Sequence, residues 1–551
     1  MGIGRRAGFG VLAIILALAL IIRLHGIGFG LPSLYDPDEP IFMVLALKLL
    51  KDQTLNPGWF GHPGTTTIYL VALIDVAVLG WGLVTGHFGS VHDFAMAAYA
   101  DPGLLFIPAR VAMALFGVGC VWLTWSIGRR LFGWTPALIA AGLVAVNSLH
   151  VMWSQVIRTD VMASFFMLAS LLFSIRAAQR GRLADYVASG CFIGIAIATK
   201  WPSAIVATAL IGAAVSGWRA EKRPLSAEAF KLAAGLAAIA VALFVASPYI
   251  FLDWQTVFAN VGGEVAPRNH LAQTGGGFFY NLRWYLLGQV APSMGLAGLV
   301  MAVAGAAFAW RREPVARWTL LPVAAAFFAL ICSQHLVWSR WLIPAVPLLC
   351  LLVSVTVDEV GRFVAARFHS SQLLLTSIVA AAVAVPSIAS VRDKVRERQV
   401  DTRALAAGWA AAHIPAGSTV VLENLELRLR GEPWHFRFPF GRAGCIDGLE
   451  AITKGVSYTK VQKARGGSPI VDLGNVPADR LDSCRADFAI LTYFDLYATE
   501  RSQFPAEIGN YRRMLAGGRT VALFRPVPGR IGGPVVRIVA LPPHFVESNR
   551  N

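Results

Sequence analysis

Long apolar stretches recur along the chain, separated by short polar joints. A helix crossing the hydrocarbon core of a bilayer needs about 20 mostly apolar residues. Stretches 9–28, 108–128, 134–153, 161–177, 184–200, 202–218, 230–251, 285–310, 317–333, 341–357 and 372–390 satisfy this requirement, so about eleven spans are predicted. A further stretch, TTTIYLVALIDVAVLGWGL (65–83), is interrupted by Asp75 and is ambiguous on hydropathy alone. Beyond residue 392 the pattern changes. STVVLEN, ADFAILTYF, RTVALF and VVRIVAL read as strands, and DTRALAAGWAAAH has helical spacing. Residues 1–392 are therefore expected to form a transmembrane module and 393–551 a small α/β domain, with RDKVRERQ (392–399) at the boundary.

Composition supports a polytopic membrane protein. Of 551 residues, 56% are hydrophobic and 15% charged, with mean hydropathy +0.59. Ordinary soluble domains carry roughly a quarter charged residues. The net charge of +16 does not indicate a nucleic-acid partner, because excess Lys and Arg in such a chain mark cytoplasmic loops. The same rule resolves 65–83. If that stretch lies along the interface or re-enters, one side collects Arg5, Arg6, Arg129, Arg130, Arg176, Arg180, Arg182, Arg219, Lys222 and Arg223, among others. The opposite loops then hold only Lys48, Lys51, Arg158, Lys200, Arg268, Arg283 and Arg340. This predicts a cytoplasmic N-terminus and a C-terminal domain across the membrane. The first 30 residues have a basic start and an apolar run without a small-x-small cleavage site, which reads as a retained signal anchor. Of six cysteines, Cys120, Cys191, Cys332 and Cys350 fall in apolar runs. Cys445 and Cys484 are the plausible disulfide pair if their domain faces an oxidising compartment.

On the outer side two long loops, 29–107 and 252–284, join the C-terminal domain. The first carries YDPDEPIF (35–42), with Asp36, Asp38 and Glu39, followed by ALKLLKD, whose spacing fits an interfacial helix. His62-Pro63-Gly64 reads as a turn before the 65–83 stretch. Arg158 and Asp160, in MWSQVIRTDVMASFF, fit equally a pair closing a helical hairpin and an acid with its orienting cation. Lys200, in IAIATKWPSAIV, has no nearby acid in sequence, and Arg340 is flanked by Trp338 and Trp341. Isolated cations at one membrane surface suit a phosphate, which Lys binds as a point charge and Arg as a fork. Together with the acids they suggest sugar transfer from a lipid phosphate. Such a leaving group needs no general acid, only a carboxylate to take the proton of the attacking hydroxyl and fixed cations for the departing phosphate.

The ordered set of Asp38-Glu39, HPG at 62–64, Arg158 with Asp160, ATK at 198–200 and SRWLIPAVP at 339–347 resembles the GT-C membrane glycosyltransferases of the family 39 and 83 superfamily. That group includes protein O-mannosyltransferases and the aminoarabinose transferase acting on lipid A. The resemblance spans about 1–390. It implies a GT-C fold and inverting transfer from a polyprenyl-phosphate-linked sugar at the periplasmic face of a bacterial inner membrane. The acceptor would be a protein, lipid A or a glycan. It further implies that Asp38 is the base with Glu39 beside it, and that Lys200, Arg340 and Arg158 bind the donor together with Asp160 and His62. The family's HPP-type motif reads His62-Pro63-Gly64 here, which departs from the pattern. Some relatives bind a divalent metal, for which Glu39 and His270 are the candidates; no other cofactor is implied.

The alternative is a transporter or flippase of a lipid-linked or charged solute. Such proteins place polar groups at mid-membrane on broken helices, whereas here the span interiors are nearly uncharged and the polar groups gather at one surface. An enzyme using a diphosphate-linked oligosaccharide would favour a multi-acid metal cluster spread over the outer loops.

Overall fold

The computed structural model describes residues 5–265, 275–369, 371–423, 429, 431–447 and 472–542. Two compact units are present: Met1–Gly28 with Asp36–Arg392, and Phe29–Tyr35 with Asp393–Asn551.

The first unit is helical. Its leading elements are α1 (Arg5–Leu24), α2 (Glu39–Asp52), α3 (Thr65–Val84), α4 (Val91–Ala100), α5 (Gly103–Leu131), α6 (Trp134–Val146), α7 (Ser148–Trp153), α8 (Thr159–Arg180), α9 (Leu183–Thr199), α10 (Ala207–Arg219) and α11 (Leu225–Ala246). The later helices include Trp254–Val265, Phe278–Tyr285, Ala291–Arg312, Leu320–Cys332, Ala345–Phe368 and Gln372–Gln399. Among the described residues nine helical stretches are long and apolar enough to cross a membrane, and α6 and α9 are shorter apolar helices. This is a multi-pass membrane protein.

Local chemistry divides one of the expected spans and tightens the start of another. Stretch 134–153 divides at Asn147, which leaves the helix and whose side chain accepts from the His150 N–H at 3.1 Å, capping α7. Pro202 opens a 3₁₀ turn, Trp201–Val206, ahead of α10. Residues 65–84, omitted from the expected spans, form one uninterrupted 20-residue helix, long and apolar enough to cross. Yet the start of α3 is tied to the end of α9, Thr66 Oγ1 lying 2.7 Å from Thr199 Oγ1. By Arg110 the chain is back in that layer, because Arg110 pairs with Glu39 and Glu39 accepts from the Ile157 N–H just before α8.

In lipid there is little hydrophobic gain from pairing apolar helices, so close backbone contact supplies the attraction. Small residues permit it. A Cβ at Gly190 of α9 would lie 2.1 Å from the Gly235 carbonyl oxygen of α11, and one at Gly212 of α10 only 1.6 Å from that of Trp318. A leucine at either position would force the helices apart.

The second unit is an α/β domain. Its sheet comprises β1 (Thr419–Leu422), β2 (His435–Pro439), β3 (Cys445–Asp447), β4 (Phe488–Leu491), β5 (Arg519–Phe524) and β6 (Val536–Ala540), ordered β3-β2-β1-β4-β6-β5. β1 runs parallel to β2 and β4, and the remaining pairs are antiparallel. The helix Thr402–His413 starts at Asp401, whose carboxylate accepts from the Arg403 N–H at 2.9 Å. It packs Ala406 and Ala410 against Val420, Ile490 and Ile538 of the sheet. All four strand-like runs read from the sequence become strands. β2 and β3 are additional; β3 has only three residues, and β2 alternates over HFRF before its terminal proline. Cys445 and Cys484 form a disulfide, Cα atoms 4.8 Å apart, as their polar surroundings suggested.

Candidate active site

The polar groups of the first unit meet where helices end. Asp36 and Asp38 lie in the turn entering α2, with Pro40 in the helix's first turn, where proline's missing N–H costs nothing. The Asp38 N–H donates to Asp36 Oδ1 at 3.0 Å, fixing the turn. Arg158 precedes α8 in extended conformation (φ −145°, ψ 161°), so its side chain is free of the helix. Nε and Nη2 donate to the two Asp36 oxygens at 3.1 and 2.8 Å, and Nη1 donates to Asp38 Oδ2. Arg340, in the 3₁₀ turn Ser339–Leu342, brings Nη2 to 3.9 Å from the same Asp38 oxygen. Its guanidinium sits 4.3 Å from the Trp338 ring centroid. Lys200 ends α9 in extended conformation, bridges Pro63 through its backbone, and pairs with Asp160 of the first turn of α8.

Three carboxylates and three cations therefore form one network. Side-chain exposure differs among the acids: Asp160 3%, Asp36 12% and Asp38 26%. Asp38 is thus the acid most open to an incoming molecule. Behind Lys200 and Asp160 lies a cavity of about 110 Å³, walled by Phe327, Leu330, Ile331, Trp341 and Pro344. A charged head group at its mouth and a hydrocarbon chain in its interior would each find matching surface.

His62 is half-buried beside this network. Burial, then the positive charges of Lys200 and Arg340, hold its pKa down to about 3 against the opposing effect of Asp160. The imidazole is neutral at physiological pH and cannot serve as a cationic phosphate ligand. Its backbone fixes the site instead: the His62 carbonyl accepts from the Trp201 N–H at 2.8 Å, and the Gly64 N–H donates to Thr199 at 3.2 Å.

Glu39 occupies a different position from its neighbour. It is fully buried, with Arg110 Nε and Nη2 donating to its two oxygens at 2.8 and 2.6 Å and the Ile157 N–H donating at 2.9 Å. It braces the α2 start against the residue before Arg158 and is not available to a substrate. Arg110 was not anticipated. The available signal was a lone arginine in the apolar run LFIPARVAMALF, since an intramembrane charge usually has a partner.

The site does not fit a divalent metal. Asp36 and Asp38 are held by Arg158, Asp160 by Lys200 and Glu39 by Arg110. Among the described residues no group of three or more His, Cys, Asp or Glu side chains is placed to hold one. His270 lies outside the described residues.

A family model described as dolichyl-phosphate-mannose-protein mannosyltransferase matches residues 103–251, the segment carrying Arg110, Arg158, Asp160 and Lys200. No curated protein sequence matches the chain. Among solved structures, ArnT from Cupriavidus metallidurans in the apo state aligns over 98% of this chain and 100% of its own, with 16% identity and TM-score 0.53. The same protein bound to undecaprenyl phosphate covers 97% and 99%, with 15% identity and TM-score 0.50. The Archaeoglobus fulgidus oligosaccharyltransferase tethered to an acceptor peptide covers 92% of this chain and 72% of its own, with 12% identity and TM-score 0.52. The chain has the GT-C fold. This is the fold that the motif order had implied. The structural likeness extends over both units of this GT-C protein.

Proposed function

We propose that this GT-C protein transfers a sugar from a polyprenyl-phosphate donor to a hydroxyl acceptor, with inversion, at the periplasmic face of a bacterial inner membrane. The carrying observation is the convergence of Asp38, Arg158 and Arg340 beside the Lys200–Asp160 pair, which lines an apolar cavity. The lipid chain would enter the cavity and its phosphate would meet Lys200 and Arg340. Asp38 takes the proton of the acceptor hydroxyl as its oxygen bonds to the anomeric carbon. The bond from that carbon to the phosphate oxygen breaks, and the cations stabilise the charge that develops there. Arg158 and Asp36 orient Asp38. The family match and the crystal structure of ArnT with undecaprenyl phosphate support a lipid-linked donor. The charge asymmetry of the loops supports a cytoplasmic N-terminus.

The test is transfer by the purified full chain, supplied with a panel of synthetic polyprenyl-phosphate sugars and candidate protein, lipid A and glycan acceptors. Consumption of one donor by the parent protein, lost in a folded Asp38→Asn variant, is the expected result. No consumption of any donor would redirect attention to transport of a lipid-linked solute. Full activity in Asp38→Asn would move the base to Asp36 or Asp160.

A further inference from the structure

The helix Trp254–Val265 has two unlike faces. Val257 and Asn260 turn inward, while Trp254 (56% exposed) and Phe258 (70%) stand outward one turn apart, ring centroids 6.0 Å from each other. The outward face continues a surface already apolar. Leu236, Val241, Phe244 and Val245 are exposed along α11, and the Phe244 and Phe251 rings lie 5.8 Å apart, joining that surface to Phe251, Leu252 and Trp254. α11 has 22 residues, about 33 Å at 1.5 Å per residue, enough to cross the hydrocarbon core. It ends at Ser247, whose hydroxyl donates to Thr65 at 2.7 Å in the layer of the active site. The chain therefore leaves the hydrocarbon at Ser247, passes through the single helical turn Tyr249–Leu252, and starts the helix Trp254–Val265 seven residues after Ser247.

The other face grips the loop that carries the site. Asn56 Nδ2 donates to Asp253 at 3.0 Å, and the Phe60 N–H donates to Asn260 Oδ1 at 2.7 Å. Phe60 in turn accepts, through its carbonyl, from the Trp201 indole at 3.2 Å, and Pro63 bridges Lys200.

We propose that Trp254–Val265 is a lipid-docked strap: its Trp254–Phe258 face inserts at the boundary between lipid headgroups and acyl chains, and its Asn260 face clamps the Asn56–Gly64 loop against Lys200. The occupant of the exposed face is the bilayer itself, because the face is continuous with the lipid-facing side of a spanning helix. Tryptophan and phenylalanine are the residues that interfacial helices bury at this depth. The clamp is a positioning device, and its existence does not depend on which reaction the site performs.

The test uses the full chain in lipid nanodiscs. A polarity-sensitive fluorophore is attached at Phe258→Cys and, separately, at Gly262→Cys on the same outward face, with the parent protein as a labelling control. Emission should be quenched more strongly by lipids carrying a nitroxide near the headgroup than by aqueous iodide. Stronger quenching by iodide at both positions would overturn docking. Coupling is read by hydrogen exchange. In Trp254→Ser/Phe258→Ser, exchange of the 56–60 amides should rise by about tenfold, the factor that corresponds to about 1.4 kcal/mol, in nanodiscs but not in detergent. Unchanged exchange in nanodiscs would overturn the clamp.

Discussion

Removing the Arg110 guanidinium isolates a charge that the structure keeps entirely from water. Glu39 and Arg110 are both fully buried, and Arg110 supplies two of the three hydrogen bonds that Glu39 receives. Breaking a buried pair by deleting one partner costs about 3–5 kcal/mol, because the remaining charge is left uncompensated. Arg110→Met is therefore expected to lose that much. It also strands the Ile27 carbonyl, to which Nη1 donates at 2.8 Å. Glu39→Gln in the same chain removes the stranded charge while keeping an acceptor for the Ile157 N–H, so the double variant should recover about 1–3 kcal/mol of coupling. Equilibrium unfolding in mixed micelles titrated with SDS, followed by tryptophan emission, measures all four corners of the cycle. The pair also has a consequence for chemistry. Ile157 adjoins Arg158, and a displacement of about 1 Å in a positioning group can cost about 10²-fold in rate. Arg110→Met should lower donor consumption accordingly even where the protein remains folded. A loss below about 1 kcal/mol in Arg110→Met, or a double variant no more stable than the sum of the singles, would refute the brace.

Further outcomes are expected at the site and in the second unit. Lys200→Met and Arg340→Met should each reduce turnover by about 10²–10³-fold, the usual effect of deleting one group that stabilises developing charge; Arg340→Lys should recover only part, since a lysine lacks the planar fork. Rates within a fewfold of the parent would remove both from the phosphate site. Chelators should leave transfer unchanged, because every carboxylate of the network already has a cationic partner; loss on chelation with recovery on adding Mn²⁺ or Mg²⁺ would contradict this. In the second unit, burial and then the adjacent Asp472 push Glu423 up to about 7. The folded value lies above the unfolded one, so the folded domain retains a proton that the unfolded chain releases. This contribution is present in full below the unfolded value of about 4.3 and is lost as pH rises through about 7. The unfolding temperature of this unit should fall across that window, and Asp472→Asn should lessen the fall; a rise with pH would contradict the assignment.

Membrane class, most element types and most of the ionic groups, Arg110 excepted, were legible in the sequence, because each depends on local order: apolar runs long enough to span, alternation in the strands, and charges stranded at span ends. Asp38, Arg158, Asp160, Lys200 and Arg340 stood out for the energetic reason that a charge at a bilayer surface seeks a partner. Which partner it finds depends on contacts between residues far apart in the chain. Arg158 meets Asp36 and Asp38 across about 120 positions, so the sequence left open whether it instead served Asp160. Two acids adjacent in sequence also diverge in role, because the start of α2 turns Glu39 into the buried interior with Arg110 while Asp38 stays at the opening. The neutral state of His62 was equally invisible, since it follows from burial beside cations drawn from three other segments. Local pattern determined which residues this protein would use; only the meeting of helix ends in one layer decided which of them face a substrate and which hold the others in place.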